Sequence, residues 1–410
     1  MHPLQERVRL LMEGNRRTTD GNQYTLPSPE LYPFQWLWDS CFHSIILSKF
    51  DQKAAKAELR SAFSRPLPSG MFPHIIYWED PTTVNGNGNW GREMRGDIIN
   101  ASWGTIGTSS ITQPSVMAFA VRRVFEENGD NTFLIEVYPA LKNHFDYLAR
   151  EREVPKFEPL VAILNPDESG EDNSPRFDDA LDLPPIHIPD LHLDARLNLM
   201  KQYASCRFEV TDCMDAHFSV IDLPFNILYA EDMDHLAFLA DVLGKAEDGV
   251  MYRTRAEAVR KALREKLFHK GRFRSYDVTH ETYIAVETWA DFTPLYGGLL
   301  SQDEARSLVE THLLNEEKFW TPYPVPTTAR SEASFDASDG FWRGPVWITP
   351  NWFIYKGLQR YGFDDVAQKL KQKTESLIQE SGFREQYNPL TGEGKGGENF
   401  TWGGLVLDME

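Results

Sequence analysis

Two acidic islands lie far apart in this chain, each set among turn residues and aromatics. The first, NPDESGEDNSPRFDD from Asn165 to Asp179, carries Asp167, Glu168, Glu171, Asp172, Asp178 and Asp179. The second, FREQYNPLTGEG from Phe383 to Gly394, carries Glu385 and Glu393, with Gln386, Tyr387 and Asn388 beside the first of them. Like charges crowded into one loop resist simultaneous ionisation, so one member can keep its proton near neutrality. That is what a general acid needs. A second carboxylate, on a distant segment, can take a proton from water. Two carboxyl groups in these roles are the chemistry of glycosidic bond cleavage. Each island alone also reads as a solvated turn, because NPDESG, DNSP and NP..G are ordinary turn sequences.

Tryptophan-rich stretches supply the platforms such a reaction would use. In WLWDSCFH (Trp36 to His43), Trp36, Trp38 and Asp39 are candidates to hold sugar hydroxyls. Asp39 or Ser40 could equally cap the helix that follows. In FWRGPVW (Phe341 to Trp347), Trp342 and Arg343 are the better site candidates. Trp347 and Trp352 read as core packing, with Pro345 at a helix start.

Other chemistries find less support. His187 and His192 share no helical face and lack an evident third ligand, so HIPDLHLD reads as a plain loop rather than a metal site. There is no EF-hand loop, no GxSxG elbow and no Gly-rich phosphate loop. Neither a metal nor a cofactor is expected. The three cysteines, Cys41, Cys206 and Cys213, form no recognisable framework and read as buried thiols.

The net charge of −19 disfavours nucleic acid and anionic membranes as partners. The first residues, MHPLQERVRLLMEGNRR, are charged and lack the apolar stretch of a signal peptide. No apolar run is long enough to span a bilayer. A cytoplasmic protein acting on a small carbohydrate is the expectation, and a homo-oligomer is compatible with it.

The elements that would position these residues are mainly helical. Apolar residues recur at helical spacing in ERVRLLMEG, SCFHSIILSKF, KAAKAELRSAFS, SVMAFAVRRVFEENGD, FLIEVYPALKNHFDYLARER, FNILYAEDMDHLAFLADVLGK, TRAEAVRKALREKLF, EARSLVETHLL, VWITPNWFIYKGLQRYG and DVAQKLKQKTESLIQESG. Short polar turns such as NGDN join neighbours, which predicts helical hairpins. Only Gly271 to Val278 and the segment around Phe383 read as short β pieces. LDLPPIHIPD (Leu181 to Asp190) reads as a Pro-rich surface excursion. The long stretch at about 79–110, rich in Gly and Asn yet holding Trp90, Trp103, Arg92 and Arg95, reads as an ordered lid. No break in composition splits residues 1–410 into domains. An all-α toroid with a site built from its loops is the expected architecture.

At these residues the chain resembles glycoside hydrolase family 63. The resemblance rests on QWLWDSCFH (Gln35 to His43), ITQPSVMA (Ile111 to Ala118), SGEDNSPRFD (Ser169 to Asp178), FWRGPVW, and EQYNPLTGEG with NFTW (Glu385 to Gly394, Asn399 to Trp402). They occur in the family's order and run from near one end of the chain to the other. The resemblance implies an (α/α)6 barrel and inversion at an α-anomeric centre. It implies Asp172 as general acid and Glu385 as general base, with Asp39, Gln113 and Arg343 as sugar-subsite residues; Tyr387 joins them as a substrate-binding candidate. The family usually has an apolar residue where this chain has Glu171, so Glu171 is expected to share its proton affinity with Asp172. A compact toroid is similar to the hydrolases of mannosylglycerate and glucosylglycerate. A glycerate aglycone would need a cation, for which Arg92 and Arg95 are the candidates. The alternatives are an α-glucosidase acting on gluco-oligosaccharides or disaccharides, another sugar-active enzyme such as an epimerase or phosphorylase, and a non-catalytic sugar-binding protein.

Overall fold

The computed structural model describes residues 3–79, 107–186, 188–206 and 217–410. Helix dominates these residues. Helical hairpins recur: in three of them a helix buried along most of its length pairs with one that is apolar on one face only, and in a fourth, Met117–Glu126 with Asn131–Glu151, both helices bury one face. The first pair is Leu37–Ser48, buried along its whole length, and Gln52–Ala62. The others are Met117–Glu126 with Asn131–Glu151, Leu223–Val242 with Ala246–Ala262, and Ile348–Arg360 with Asp364–Ser381. A helix that is apolar all round must sit inside, and a one-faced helix must cover it. Met117–Glu126 packs its buried face between two of the inner helices, touching both Leu37–Ser48 and Leu223–Val242. The C-terminal turn of 3-10 helix, Thr401–Asp408, packs against Leu37–Ser48 and Ile348–Arg360.

Side-chain caps set several helix starts. Asp51 accepts a hydrogen bond from the Ala54 N–H, Asp130 from Thr132 and Phe133, and Asp222 from Phe225. Each satisfies amide groups that the first helical turn leaves open. Asp39 plays no such part. Its helix begins at Leu37, and its carboxylate accepts from the Trp402 indole instead. Pro345 likewise precedes its helix, which starts at Ile348.

Among the described residues the strands are short and form five small antiparallel sheets. The two expected β regions are there: Arg272–Phe273 and Tyr276–Asp277 in one, Arg384–Tyr387 in the other. Two predictions need correction. The segment after the Pro-rich stretch is no loop but a helix, Pro189–Ser205, which carries His192. Cys206 is disulfide-bonded rather than a buried thiol, whereas Cys41 is free and buried. Most of the lid-like stretch, with Trp90, Arg92, Arg95 and Trp103, lies outside the described residues, as does His187. None of the described helices is long and apolar enough to cross a membrane.

Candidate active site

The first acidic island divides its carboxylates between two tasks. Glu168, Glu171 and Asp178 point inward and are buried. Glu168 takes both ends of the Arg152 guanidinium at 2.8 Å, together with the N–H groups of Thr112 and Leu164. Glu171 pairs with Arg176 at 2.6 Å, and Arg176 also pairs with Asp222. Burial pushes the Glu171 carboxyl up to about 7, with Arg176 opposing the rise and the Asp222 charge adding to it. Glu171 therefore serves the ion-pair layer beneath the loop and does not line the cavity beside Asp172, contrary to the expectation of a shared acid. A buried, hydrogen-bonded ion pair is costly to break on one side, so these residues hold the loop in one shape.

Held this way, the loop presents Asp167 and Asp172 to an open cavity of about 500 Å³, a volume suited to a small molecule. Asn165 accepts from the Asp167 N–H at 2.9 Å and starts a 3-10 turn that ends on Gly170. Gly170 has φ +74°, and a methyl group there would run into the Trp38 ring, so the turn needs glycine. Asp172 is 26% exposed in side chain and lies 2.8 Å from Arg196 Nη1. Arg196 also pairs with Asp167. Burial raises the Asp167 carboxyl; Arg196 opposes the rise and the Asp172 charge adds to it.

Glu385 comes from the strand pair Arg384–Tyr387 and Gly394–Glu398, and the pairing slips register between Arg384 and Gln386. Such an irregularity re-aims a side chain, and here it falls on Glu385. The residue is buried, one carboxylate oxygen accepting from the Tyr32 hydroxyl and the other from the Gly397 N–H at 2.8 Å. A side chain at Gly396 would collide with that carboxylate. Burial pushes the Glu385 carboxyl up to about 7; Tyr32 and Gly397 oppose the rise, and the Asp172 charge adds to it. Tyr32 and Gly396 line the cavity, and Glu385 lies directly behind them. Asp172 and Glu385 thus belong to one site, the first on its wall and the second one residue deeper.

The aromatic floor is where the sequence led one to look. Trp36, Trp38, Asp39, Gln113 and Trp342 all line the cavity. Trp342 stacks on Trp347 with ring centres 4.0 Å apart and planes 7° from parallel. Trp347 is buried in the core as expected and also lines the cavity, whereas Trp352 is core alone. Trp402 meets Trp38 edge-on and donates to Asp39 Oδ1 at 2.6 Å. Burial pushes the Asp39 carboxyl up to about 6; His43 and the Trp402 bond oppose the rise. Gln113 accepts from the Trp38 N–H at 3.1 Å. Asn173 ties the two halves together, accepting from the Trp342 N–H at 3.0 Å and donating to the Gly340 carbonyl.

Two candidates do not reach the cavity. Arg343 is fully buried and grips Asp178 with both ends of its guanidinium, with His192 at 2.7 Å. Tyr387 is also fully buried; its hydroxyl donates to the Gly382 carbonyl and accepts from the Arg384 N–H, closing the turn before the strand. Strand alternation sends Glu385 and Tyr387 to the same face, but the register slip separates their surroundings. Residues not named as site candidates line the cavity as well: Tyr32, Arg196 and Lys395, together with His192, read from the sequence as part of a plain loop, and Trp402 of the NFTW motif. The spacing His192–Arg196–Met200 is a helical stripe that could have been read from the sequence; nothing nearby marked Tyr32. Among the described residues no group of three His, Cys, Asp or Glu is placed to hold a metal ion.

A family model described as the mannosylglycerate hydrolase MGH1-like glycoside hydrolase domain matches residues 32–403. The chain belongs to this glycoside hydrolase family. Its similarity to a mannosylglycerate hydrolase of Thermus thermophilus is 33% identity over 405 residues, 92% of this chain and 94% of that protein. Mannosylglycerate hydrolase MGH1 of Selaginella moellendorffii is 32% identical over 409 residues, 93% of this chain and 81% of that protein. The crystal structure of a family 63 mannosylglycerate hydrolase from Thermus thermophilus in complex with Tris superposes with a TM-score of 0.86 at 31% identity, covering 99% of both chains. As a member of this family, the chain is a glycoside hydrolase.

Proposed function

We propose that this glycoside hydrolase cleaves an α-glycoside of glycerate, with α-mannosylglycerate its substrate, by inversion at the anomeric carbon. One observation carries the reading: a small aromatic-floored cavity has a carboxyl group, Asp172, in contact with a guanidinium, Arg196, and a second carboxyl, Glu385, behind its wall. The relatives named for mannosylglycerate hydrolysis support the choice of substrate. Asp172 protonates the glycosidic oxygen as the bond to the sugar breaks. Glu385, ionised, accepts a proton from the water that attacks the opposite face. Trp36, Trp38, Asp39, Gln113 and Trp342 hold the sugar. Arg196 offers the aglycone carboxylate a two-pronged, charge-assisted contact, the part first assigned to Arg92 and Arg95. The helical hairpins close into an (α/α)6 toroid that acts as one catalytic unit on a small carbohydrate.

The test is D-glycerate release from α-mannosylglycerate, with α-glucosylglycerate, trehalose, kojibiose, nigerose and maltose in parallel. The first sugar product, followed by NMR, should be the β-anomer. Release of the α-anomer would exclude inversion. Turnover of the disaccharides in preference to both glycerate glycosides would favour an α-glucosidase. Binding without hydrolysis of any of them would leave a sugar-binding protein.

A further inference from the structure

Glu385 has an unusual position for a group that must take a proton from water in the cavity. Its side chain is buried, it does not itself line the cavity, and each of its oxygens already accepts a hydrogen bond. The donor on the cavity side is the Tyr32 hydroxyl, and Tyr32 does line the cavity. The ring is held edge-on by Trp36 and Phe400, at 5.3 and 5.7 Å between centres, so the hydroxyl is aimed by packing rather than left to rotate through solvent. A phenol has one O–H to give and lone pairs with which to receive. It can therefore pass a proton on while accepting another.

We infer that Tyr32 is a proton relay, through whose hydroxyl the attacking water reaches Glu385. The inference rests on the reading of Glu385 as the base. The water oxygen bonds to the anomeric carbon, and one water proton moves to Tyr32 Oη. The proton already on Tyr32 Oη moves to Glu385. The bond from the anomeric carbon to the glycosidic oxygen breaks, and that oxygen takes the proton of Asp172. Tyr32 ends as it began; Glu385 has gained one proton and Asp172 has lost one, and exchange with solvent restores both. The Gly397 N–H keeps hold of the other carboxylate oxygen throughout, which fixes the orientation of the accepting one.

The experiment uses the full chain with two substrates, α-mannosylglycerate and α-mannosyl fluoride. Fluoride departs without help from an acid, so the second substrate isolates the base side. Tyr32→Phe should lower kcat on both by about a hundredfold or more, the scale of one proton-transfer contribution, with KM within about threefold. Azide, which attacks without losing a proton, should restore turnover and yield β-mannosyl azide. Undiminished kcat, or a loss that azide does not restore, overturns the relay. Glu385→Gln tests the base separately: if that variant keeps its turnover the base assignment itself is wrong, whereas an inactive, azide-rescued Glu385→Gln beside a fully active Tyr32→Phe removes only the relay. Should Tyr32→Phe fail to fold, the wild type decides. Fluoride hydrolysis in mixed H2O and D2O should show a curved dependence from two protons in flight, and a linear one contradicts the relay.

Discussion

Replacing Glu385 by glutamine should make the protein more stable at high pH while removing its activity. The buried carboxyl of Glu385 is pushed from 4.5 up to about 7, chiefly by burial. A carboxyl raised in the folded state binds its proton more tightly there than in the unfolded chain. Folding therefore carries no penalty from this group below pH 4.5, a growing one as pH rises through 7, and a constant one above. That rise is worth about 3 kcal/mol once the group is fully ionised. Glutamine has the same shape and no charge to bury. Its carbonyl can accept from the Gly397 N–H, and its amide can donate to the Tyr32 oxygen, because a hydroxyl serves either way. No polar group need be stranded. Unfolding midpoints of the two proteins, compared from pH 4.5 to 9, should coincide at the acidic end and separate in favour of the variant above pH 7. A gap that does not change with pH, or a wild type that stays ahead at pH 9, would refute the account of Glu385 as a carboxylate held at a cost.

The same group sets the acidic limb of the rate. Because the base must be ionised, kcat/KM on α-mannosylglycerate should climb as pH rises through about 7; a profile flat from pH 5.5 to 8 would speak against Glu385 as base. Arg196→Ala should weaken the carboxylate-bearing substrate by about 2 kcal/mol, the worth of a charged hydrogen bond, or roughly thirtyfold in kcat/KM. Methyl α-mannoside should lose only the share that passes through the Arg196 contact with Asp172, and an equal loss on both would remove Arg196 from the aglycone subsite. Arg343→Met should act on folding, since it leaves the buried Asp178 carboxylate without its main counter-ion. A loss of about 3–5 kcal/mol in denaturant unfolding is expected, and an unchanged midpoint would contradict the structural role.

Local patterns in the chain were enough to name most of the parts. Helical periodicity marked both members of each hairpin, because a helix must show one apolar face whatever its neighbours are. The turn residues of the two islands, and the carboxylates between them, marked where chemistry would be placed. Trp36, Trp38, Asp39 and Trp342 were legible because aromatic and polar side chains clustered in short motifs, whereas Gln113 came only with the family resemblance, through ITQPSVMA. The Pro189–Ser205 helix was obscured by the prolines before it, and with it went Arg196.

What the sequence by itself determined, then, was the helical character and the two acidic islands, since these follow from residue type and from contacts only a few positions apart; the family resemblance, carried by five motifs in order, pointed to glycoside hydrolysis and to Asp172 and Glu385 within those islands. What only the tertiary structure decided was which charges face the cavity and which are spent inside. Asp172 and Glu171 are adjacent, yet one lies against Arg196 and the other against Arg176. Arg343 looked like a ligand for sugar and is the counter-ion of Asp178. Tyr32 meets Glu385 across 353 positions of chain. Burial and long-range pairing fix the role of an ionisable group, and neither is a property of the residue or its neighbours in sequence.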